Sequence, residues 1–366
     1  MTSLFDRVPL RAEDAGSVTA RNRLWISPMC QYSVFAEDGI PTDWHFVHLG
    51  QFAIGGAGVV FTEATAVSPE GRISARDTGI WTDEQASAWS RVAAFVRSHG
   101  AVPGIQLAHA GRKASTYAPW GMDRRGTVPA DAGGWEAVAP SPVAFGRYAV
   151  PTALDERGIE RVVADFGAAA ERAVQAGFEV IEIHAAHGYL MHQFLSGLAN
   201  TRTDDYGGTL ENRARLLLRV VDAVRRAAGD RAVFVRLSGT DWAPPELADR
   251  AWEQEQCATV AGWVAQAGAD FLDVSTGGIL PAPDIPVGPG YQVPFAAHVR
   301  RTAGVRVSTV GLITEAAQAD AVIRTGKADA VMVARAALRD PHVALRMAGE
   351  LGVELDYVPG QYLRAY

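Results

Sequence analysis

Cysteine is scarce in this chain, and long apolar runs are missing. Only two of the 366 residues are cysteine, Cys30 and Cys257. They stand far apart, which excludes a disulfide framework and a cysteine-built zinc site. No stretch approaches the roughly 20 apolar residues of a membrane helix, and the opening "MTSLFDRVPL" lacks the apolar centre of a secretion signal. Positive charge is in deficit: 34 Lys and Arg against 41 Asp and Glu leave a net charge of −7. That balance leaves no electrostatic footprint for nucleic acid or anionic lipid. The densest basic stretch, "NRARLLLRVVDAVRRAAGDR" (212–231), alternates charge with a helical apolar stripe, so it reads as the wet face of an amphipathic helix. A protein of a reducing cytoplasm, engaging neither membrane nor nucleic acid, is the expectation.

Apolar residues make up 48% of the chain, enough for one large core. Eight short apolar runs recur: "RLWIS" (23–27), "GVVFTEA" (58–64), "AVPGIQLAH" (101–109), "FEVIEIH" (178–184), "AVFVRLS" (232–238), "DFLDVS" (270–275), "VRVSTVG" (305–311) and "DAVMVA" (329–334). Each reads as a strand buried on both faces. Amphipathic patterns at 83–100, 159–177, 209–229 and 314–328 supply helices between them. Strands alternating with helices imply right-handed crossovers and a parallel sheet. Eight units predict an α/β fold, a closed (β/α)8 TIM barrel, forming one domain over residues 1–366. The surplus length falls at 112–153, an excursion after strand 3 rich in Gly, Pro and aromatics, expected to cover the barrel mouth. The glycine run "GGAGVV" (55–60) follows a helix and precedes a strand, so it reads as a tight turn rather than a dinucleotide fingerprint.

Chemistry in such a barrel belongs at the C-terminal ends of the strands. Strand 1 ends in Ser27, Pro28, Met29 and Cys30, followed by Gln31 and Tyr32; strand 2 ends in Glu63 and Ala64. Strand 3 delivers Gln106 and His109, and strand 4 delivers His184, His187 and Tyr189. Strand 5 delivers Arg236 and Ser238, strand 6 runs into "STGGI", strand 7 ends at Gly311, and strand 8 at Ala334 and Arg335. Each has a bland reading: Cys30 a buried small hydrophobe, His184 a satisfied core histidine, Arg236 the partner of a loop carboxylate. Their convergence on one rim weighs against all of those readings at once. Gly311 and Arg335 suit a phosphate, since strand 7 and 8 loops commonly hold one.

Five segments carry a resemblance: "SPMCQYS" (27–33), "QLAHAGRKA" (106–114), "HAAHGYLMHQFLS" (184–196), "NTRTDDYGG" (200–208) and "GYQVPFA" (290–296). Together they closely resemble the Old Yellow Enzyme family of flavin-dependent ene-reductases, often named NADPH dehydrogenases. Cys30 and the terminal "QYLRAY" resemble the subgroup named for thermophilic members. The resemblance implies one non-covalent FMN on the barrel mouth, reduced by NADPH or NADH. Its phosphate would lie by Gly311, Ala334 and Arg335, with alanine at 334 where many relatives carry glycine. Ser27, Pro28, Met29, Cys30 and Ala64 would line the ring, Gln106 would bond its pyrimidine edge, and Arg236 would sit near the end that becomes negative on reduction. His184 and His187 would both donate to the carbonyl oxygen of an enone or enal, and Tyr189 would protonate the α-carbon. Tyr32 would belong to the substrate pocket. The tail at 357–366 resembles a segment that carries Arg364 into a neighbouring active site, which implies at least a homodimer. No metal is expected: the strand 4 histidines have no adjacent carboxylate to complete a zinc set. Two cysteines leave no ligands for the iron–sulfur centre of larger dienoyl-CoA reductase relatives.

Overall fold

The computed structural model describes residues 2–11 and 18–365. Eight parallel strands close into a barrel in sequence order: β1 (Leu24–Ile26), β2 (Val59–Ala66), β3 (Val102–Ala108), β4 (Val180–Ala185), β5 (Ala232–Ser238), β6 (Phe271–Ser275), β7 (Val307–Thr309) and β8 (Ala330–Val333). Helices α1 (Asp43–Ile54), α2 (Asp83–Ser98), α3 (Glu156–Gln175), α4 (Leu210–Ala228), α5 (Gln254–Gln266), α6 (Val293–Ala303), α7 (Ala316–Arg324) and α8 (Val343–Glu350) ring it. This is the (β/α)8 barrel, with the long excursion between β3 and α3. No helix among the described residues is long and apolar enough to cross a membrane.

Local chemistry sets the helix ends. Thr82 and Gln85 form a reciprocal capping box at α2, Gln85 N donating to Thr82 Oγ1 at 3.2 Å. Helix α3 starts three residues before its apolar stripe because Asp155 Oδ1 accepts from Gly158 N at 2.7 Å. The 55–60 glycine run is the α1–β2 turn: Gly56 has φ +93°, and a Cβ on Gly58 would lie 2.5 Å from Asn22 O. Arg225 and Arg226, in the basic stretch, lie in the last turn of α4, where cations complement the helix carbonyls.

Strand alternation sorts the core into two layers. The outward residues of β5, Val233, Val235 and Leu237, join the main apolar layer under the helices. The inward ones begin with Ala232 and Phe234 and continue to Arg236 and Ser238. Within the barrel, Trp25, Phe61, Phe234, Phe271 and Met332 fill the floor, and Val8, Leu10 and Ala20 of an N-terminal ribbon plug it from beneath. Phe234 and Phe271 stack at 5.0 Å between ring centroids, with Trp25 at 5.1 Å from Phe271. The floor is thus apolar and sealed, and the polar inward residues all lie above it.

Candidate active site

The same alternation explains the acids inside apolar strands. On β4 the inward side chains are Val180 at the floor, Glu182 in the middle and His184 at the mouth. On β6 they are Phe271, Asp273 and Ser275. Gln106, Glu182, Arg236 and Asp273 form a polar layer that exposes at most 5% of any residue. Arg236 Nε lies 3.0 Å from Asp273 Oδ2, so its carboxylate partner comes from the neighbouring strand rather than a loop. Arg236 Nη1 donates to Ser27 Oγ at 3.1 Å, and Ser308 Oγ donates to Asp273 Oδ1 at 3.1 Å. Gln106 Nε2 donates to Glu182 Oε1 at 2.7 Å. Burial pushes the Glu182 carboxyl up to about 8, with Asp273 adding to the shift and Arg236 opposing it.

Above this layer opens a cavity of about 350 Å³. Ser27, Pro28, Cys30, Ala64, Gln106 and Arg236 face it from the first five strands. His184, His187 and Tyr189 face it from the end of β4, and Gly311, Ala334 and Arg335 from the far side. Three expected residues do not line it. Met29 packs half-buried on the apolar layer, and its carbonyl accepts from Gln31 Nε2 at 2.8 Å. Tyr32 adopts φ +52°, and burial, then the neighbouring Cys30 and Tyr189, hold its phenol well above the usual range. Arg364 is exposed on the tail, whose last residue, Tyr366, lies outside the described residues. His109 also stays out of the cavity: its Nδ1 accepts from Gly111 N at 3.0 Å.

The HGY turn is held from several sides. His187 has φ +57° and Gly188 φ +71°. A Cβ on Gly188 would lie 2.1 Å from Gly278 O, so only glycine fits. His187 N donates to Ser238 Oγ at 3.0 Å, and Lys113 Nζ donates to His187 O at 2.9 Å and Gly278 O at 3.1 Å. Gly188 N donates to His192 Nδ1 at 2.9 Å, which places the proton on Nε2, 3.0 Å from the buried Asp241. These contacts offset the roughly 1–3 kcal/mol cost of a left-handed non-glycine residue.

The result is a pair of buried imidazoles facing one cavity. His184 Nδ1 accepts from Ala186 N at 3.3 Å, leaving Nε2–H for the cavity. His187 Nε2 lies 2.8 Å from Ser275 Oγ, which also has Leu237 O as an acceptor at 3.5 Å; when the serine proton goes to His187, Nδ1–H faces outward. The rings meet edge-on at 5.1 Å, and Tyr189 stands 5.0 Å from His184. Burial, then Arg236, holds both imidazoles well below the usual histidine range, so each is a neutral donor at pH 7. Burial holds the Tyr189 phenol well above its usual range, so it keeps its proton. Burial and the acids Asp77 and Glu63 raise the Cys30 thiol well above its usual range, so it stays a thiol.

The far side suits an anion. Arg335 and Arg339 line the cavity and form neither ion pair nor hydrogen bond among the described residues. Gly311 has φ +121°, and a Cβ there would meet Gln292 Nε2 at 2.9 Å and Tyr291 at 3.1 Å. The cavity therefore has free cations and bare backbone at one end, and an amide, a buried guanidinium and two imidazole donors at the other. That donor set fits a flat polar ring with a phosphate tail. Among the described residues, no cluster of three His, Cys, Asp or Glu side chains could hold a metal. Sequence reading missed Lys113, Glu182, Asp273, Gln292 and Arg339, and placed Ser275 at the rim only as the first residue of the STGGI run. For the two acids the signal was present, as charges inside otherwise apolar strands.

Residues 10–354 match the model of the NADH:flavin oxidoreductase / NADH oxidase family. The chain is 44% identical over 367 residues to an NADPH dehydrogenase of Listeria innocua serovar 6a, covering all of both chains. Its fold is similar to that of morphinone reductase, with a TM-score of 0.77, 30% identity, and 96% of this chain and 90% of that one covered. It is also similar to morphinone reductase in complex with tetrahydroNAD, with a TM-score of 0.76, 28% identity, and 97% and 92% covered.

Proposed function

The chain belongs to the NADH:flavin oxidoreductase / NADH oxidase family, the Old Yellow Enzyme family, and from that premise we propose that it reduces the C=C bond of α,β-unsaturated carbonyl compounds. It is an FMN-dependent oxidoreductase of the NADPH dehydrogenase type, with a nicotinamide as reductant. FMN supplies a carrier that accepts hydride from the nicotinamide and passes it to an electron-poor alkene.

The residues divide the remaining work. Arg335 and Arg339, with the backbone at Gly311 and Ala334, hold the phosphate. Gln106 and Arg236 hold the polar edge of the ring, and Ser27, Pro28, Cys30 and Ala64 line it. His184 Nε2–H and His187 Nδ1–H hold the substrate carbonyl oxygen, where negative charge gathers as the β-carbon is reduced. A donor at such an oxygen is worth about 2.7–4 kcal/mol. Tyr189 gives its phenolic proton to the α-carbon. Lys113 Nζ lies 5.0 Å above the Tyr189 ring centroid, where a cation favours the phenolate left behind. Met29 packs against the apolar layer beside the cavity, and Tyr32 lies next to Cys30 and Tyr189.

The observation that carries this reading is the convergence of two buried imidazoles and a phenol on one cavity, with the rings 5.1 and 5.0 Å apart. We further propose self-association, with Arg364 entering a neighbouring mouth. Beside Cys30 lies an exposed apolar patch of Phe35, Trp44, Trp120 and Leu338, the kind of surface a partner covers. The chain then works as a single domain, with 112–153 over the mouth, 357–366 as an exchanged tail, and the cytoplasm as its compartment. The test is an anaerobic visible spectrum of the purified protein. NADPH should bleach a flavin band, and 2-cyclohexenone should restore it with formation of cyclohexanone. A band that NADPH bleaches but no enone restores would overturn the substrate assignment.

A further inference from the structure

We propose that Glu182 is a redox-linked proton site: at alkaline pH it takes up one proton when the flavin seated against Gln106 gains negative charge, and releases it on reoxidation. The proposal rests on the cofactor seat described above and concerns a residue that seat does not use.

Glu182 is fully buried on the inner face of β4, between Val180 of the floor and His184 of the mouth. Its Oε1 accepts from Gln106 Nε2 at 2.7 Å, while Oε2 has no partner among the described residues. A buried carboxylate needs several donors or a cation, and this one has a single amide. The neighbouring cation, Arg236, is engaged by Asp273 at 3.0 Å. Two carboxyls thus share one guanidinium, and the layer is electrically neutral only when one of them carries a proton; the ion pair with Arg236 keeps Asp273 charged, which leaves the proton to Glu182. The groups facing Glu182 are Asp273 from β6, Arg236 from β5, the uncharged Gln106 from β3 and the neutral His184 on its own strand. Its value, raised to about 8, lets both protonation states be reached.

Gln106 joins this carboxyl to the cavity, because it lines the wall and bonds Glu182 with the same side chain. A hydride from NADPH brings two electrons and one proton to the flavin, leaving NADP+ and one added negative charge on the ring. At alkaline pH, where Glu182 is ionised beforehand, its binding of one proton from solvent cancels that charge. The coupling is reciprocal: reduction raises the proton affinity of Glu182, and its protonation raises the flavin potential. Glu182 touches no reacting atom and acts through Gln106, so it is a positioning residue with a titratable charge.

The test is the midpoint potential of the FMN-loaded protein as a function of pH. One proton per two electrons gives a slope of about 30 mV per pH unit, and two protons give about 59. The wild type should follow the shallower slope at neutral pH and the steeper one above pH about 8. Glu182→Gln should keep the shallower slope throughout. Redox-difference infrared spectra of the wild type, which need no variant, should show a protonated-carboxyl band on reduction at alkaline pH that shifts in D2O. Equal slopes in both proteins, or no such band, would overturn the proposal. Gln106→Leu separates this failure from failure of the cofactor seat. If it shifts the flavin spectrum and potential while Glu182→Gln leaves the slope unchanged, the seat stands and Glu182 is inert. If neither variant moves the flavin, the seat itself is wrong and the proposal falls with it.

Discussion

Replacing Arg236 by methionine removes the cation from the buried layer while keeping most of its volume. Asp273 is wholly buried and Arg236 nearly so, with 3.0 Å between Nε and Oδ2. A unit pair about 4 Å apart is worth about 4 kcal/mol at an effective dielectric of 20, and breaking a buried pair by removing one partner costs about 3–5 kcal/mol. The cost should depend on pH. Burial already raises the Asp273 carboxyl and Arg236 opposes that; Glu182 is raised with the same opposition. Without Arg236 both folded-state values climb. A carboxyl whose folded value exceeds its unfolded value of about 4 binds more protons folded than unfolded in between. Stability then falls as pH rises, by about 1.4 kcal/mol per unit for each such group, until the folded value is passed. Arg236→Met should therefore lose little at acid pH and about 3–5 kcal/mol near neutrality. Equilibrium urea unfolding of the FMN-free protein at several pH values measures it. Adding Asp273→Asn should restore most of the loss. A single variant as stable as wild type at neutral pH, or a double variant no better than the single, would refute the reasoning.

Cys30→Ala should shift the flavin midpoint potential while FMN binding persists, because the thiol faces the cavity as a neutral group; an unchanged potential would remove Cys30 from the ring. Gly311→Ala should weaken FMN affinity at least tenfold, about 1.4 kcal/mol, since its Cβ would meet Gln292 at 2.9 Å on a φ of +121°. Fluorescence titration with FMN reads this, and an unaltered Kd would place the phosphate elsewhere. Deleting residues 360–366 should raise KM for enones and leave the thermal midpoint unchanged; unaltered kinetics would assign the tail no part in the site.

The barrel was legible because eight apolar runs bounded by polar residues fix strand positions well. The run at 232–238 coincides with β5 to the residue. The start of α3 was less legible, since Asp155 caps the helix ahead of its apolar stripe. Adjacency in the strand 1 motif did not guarantee a place on the cavity wall: Met29 packs on the apolar layer. The strands were read as uniformly apolar, and that reading hid the buried layer. Counting every second residue from Val180 or Phe271 would have brought Glu182 and Asp273 to the inner face. The support of the HGY turn was not legible at all. Lys113 and Ser238 reach it from distant parts of the chain, and His192, four residues on, reaches it through the Gly188 amide, contacts that no motif spacing encodes.

The most direct measurement follows Tyr189→Phe through both half-reactions by anaerobic stopped flow. Loss of a positioned general acid costs about 10²–10⁴-fold. Bleaching by NADPH should proceed within a factor of about two of wild type, because no proton from Tyr189 enters that step, while return of the flavin band on mixing with 2-cyclohexenone should slow by at least about a hundredfold. Equal slowing of the two steps, or an undiminished second step, would contradict Tyr189 as the proton donor.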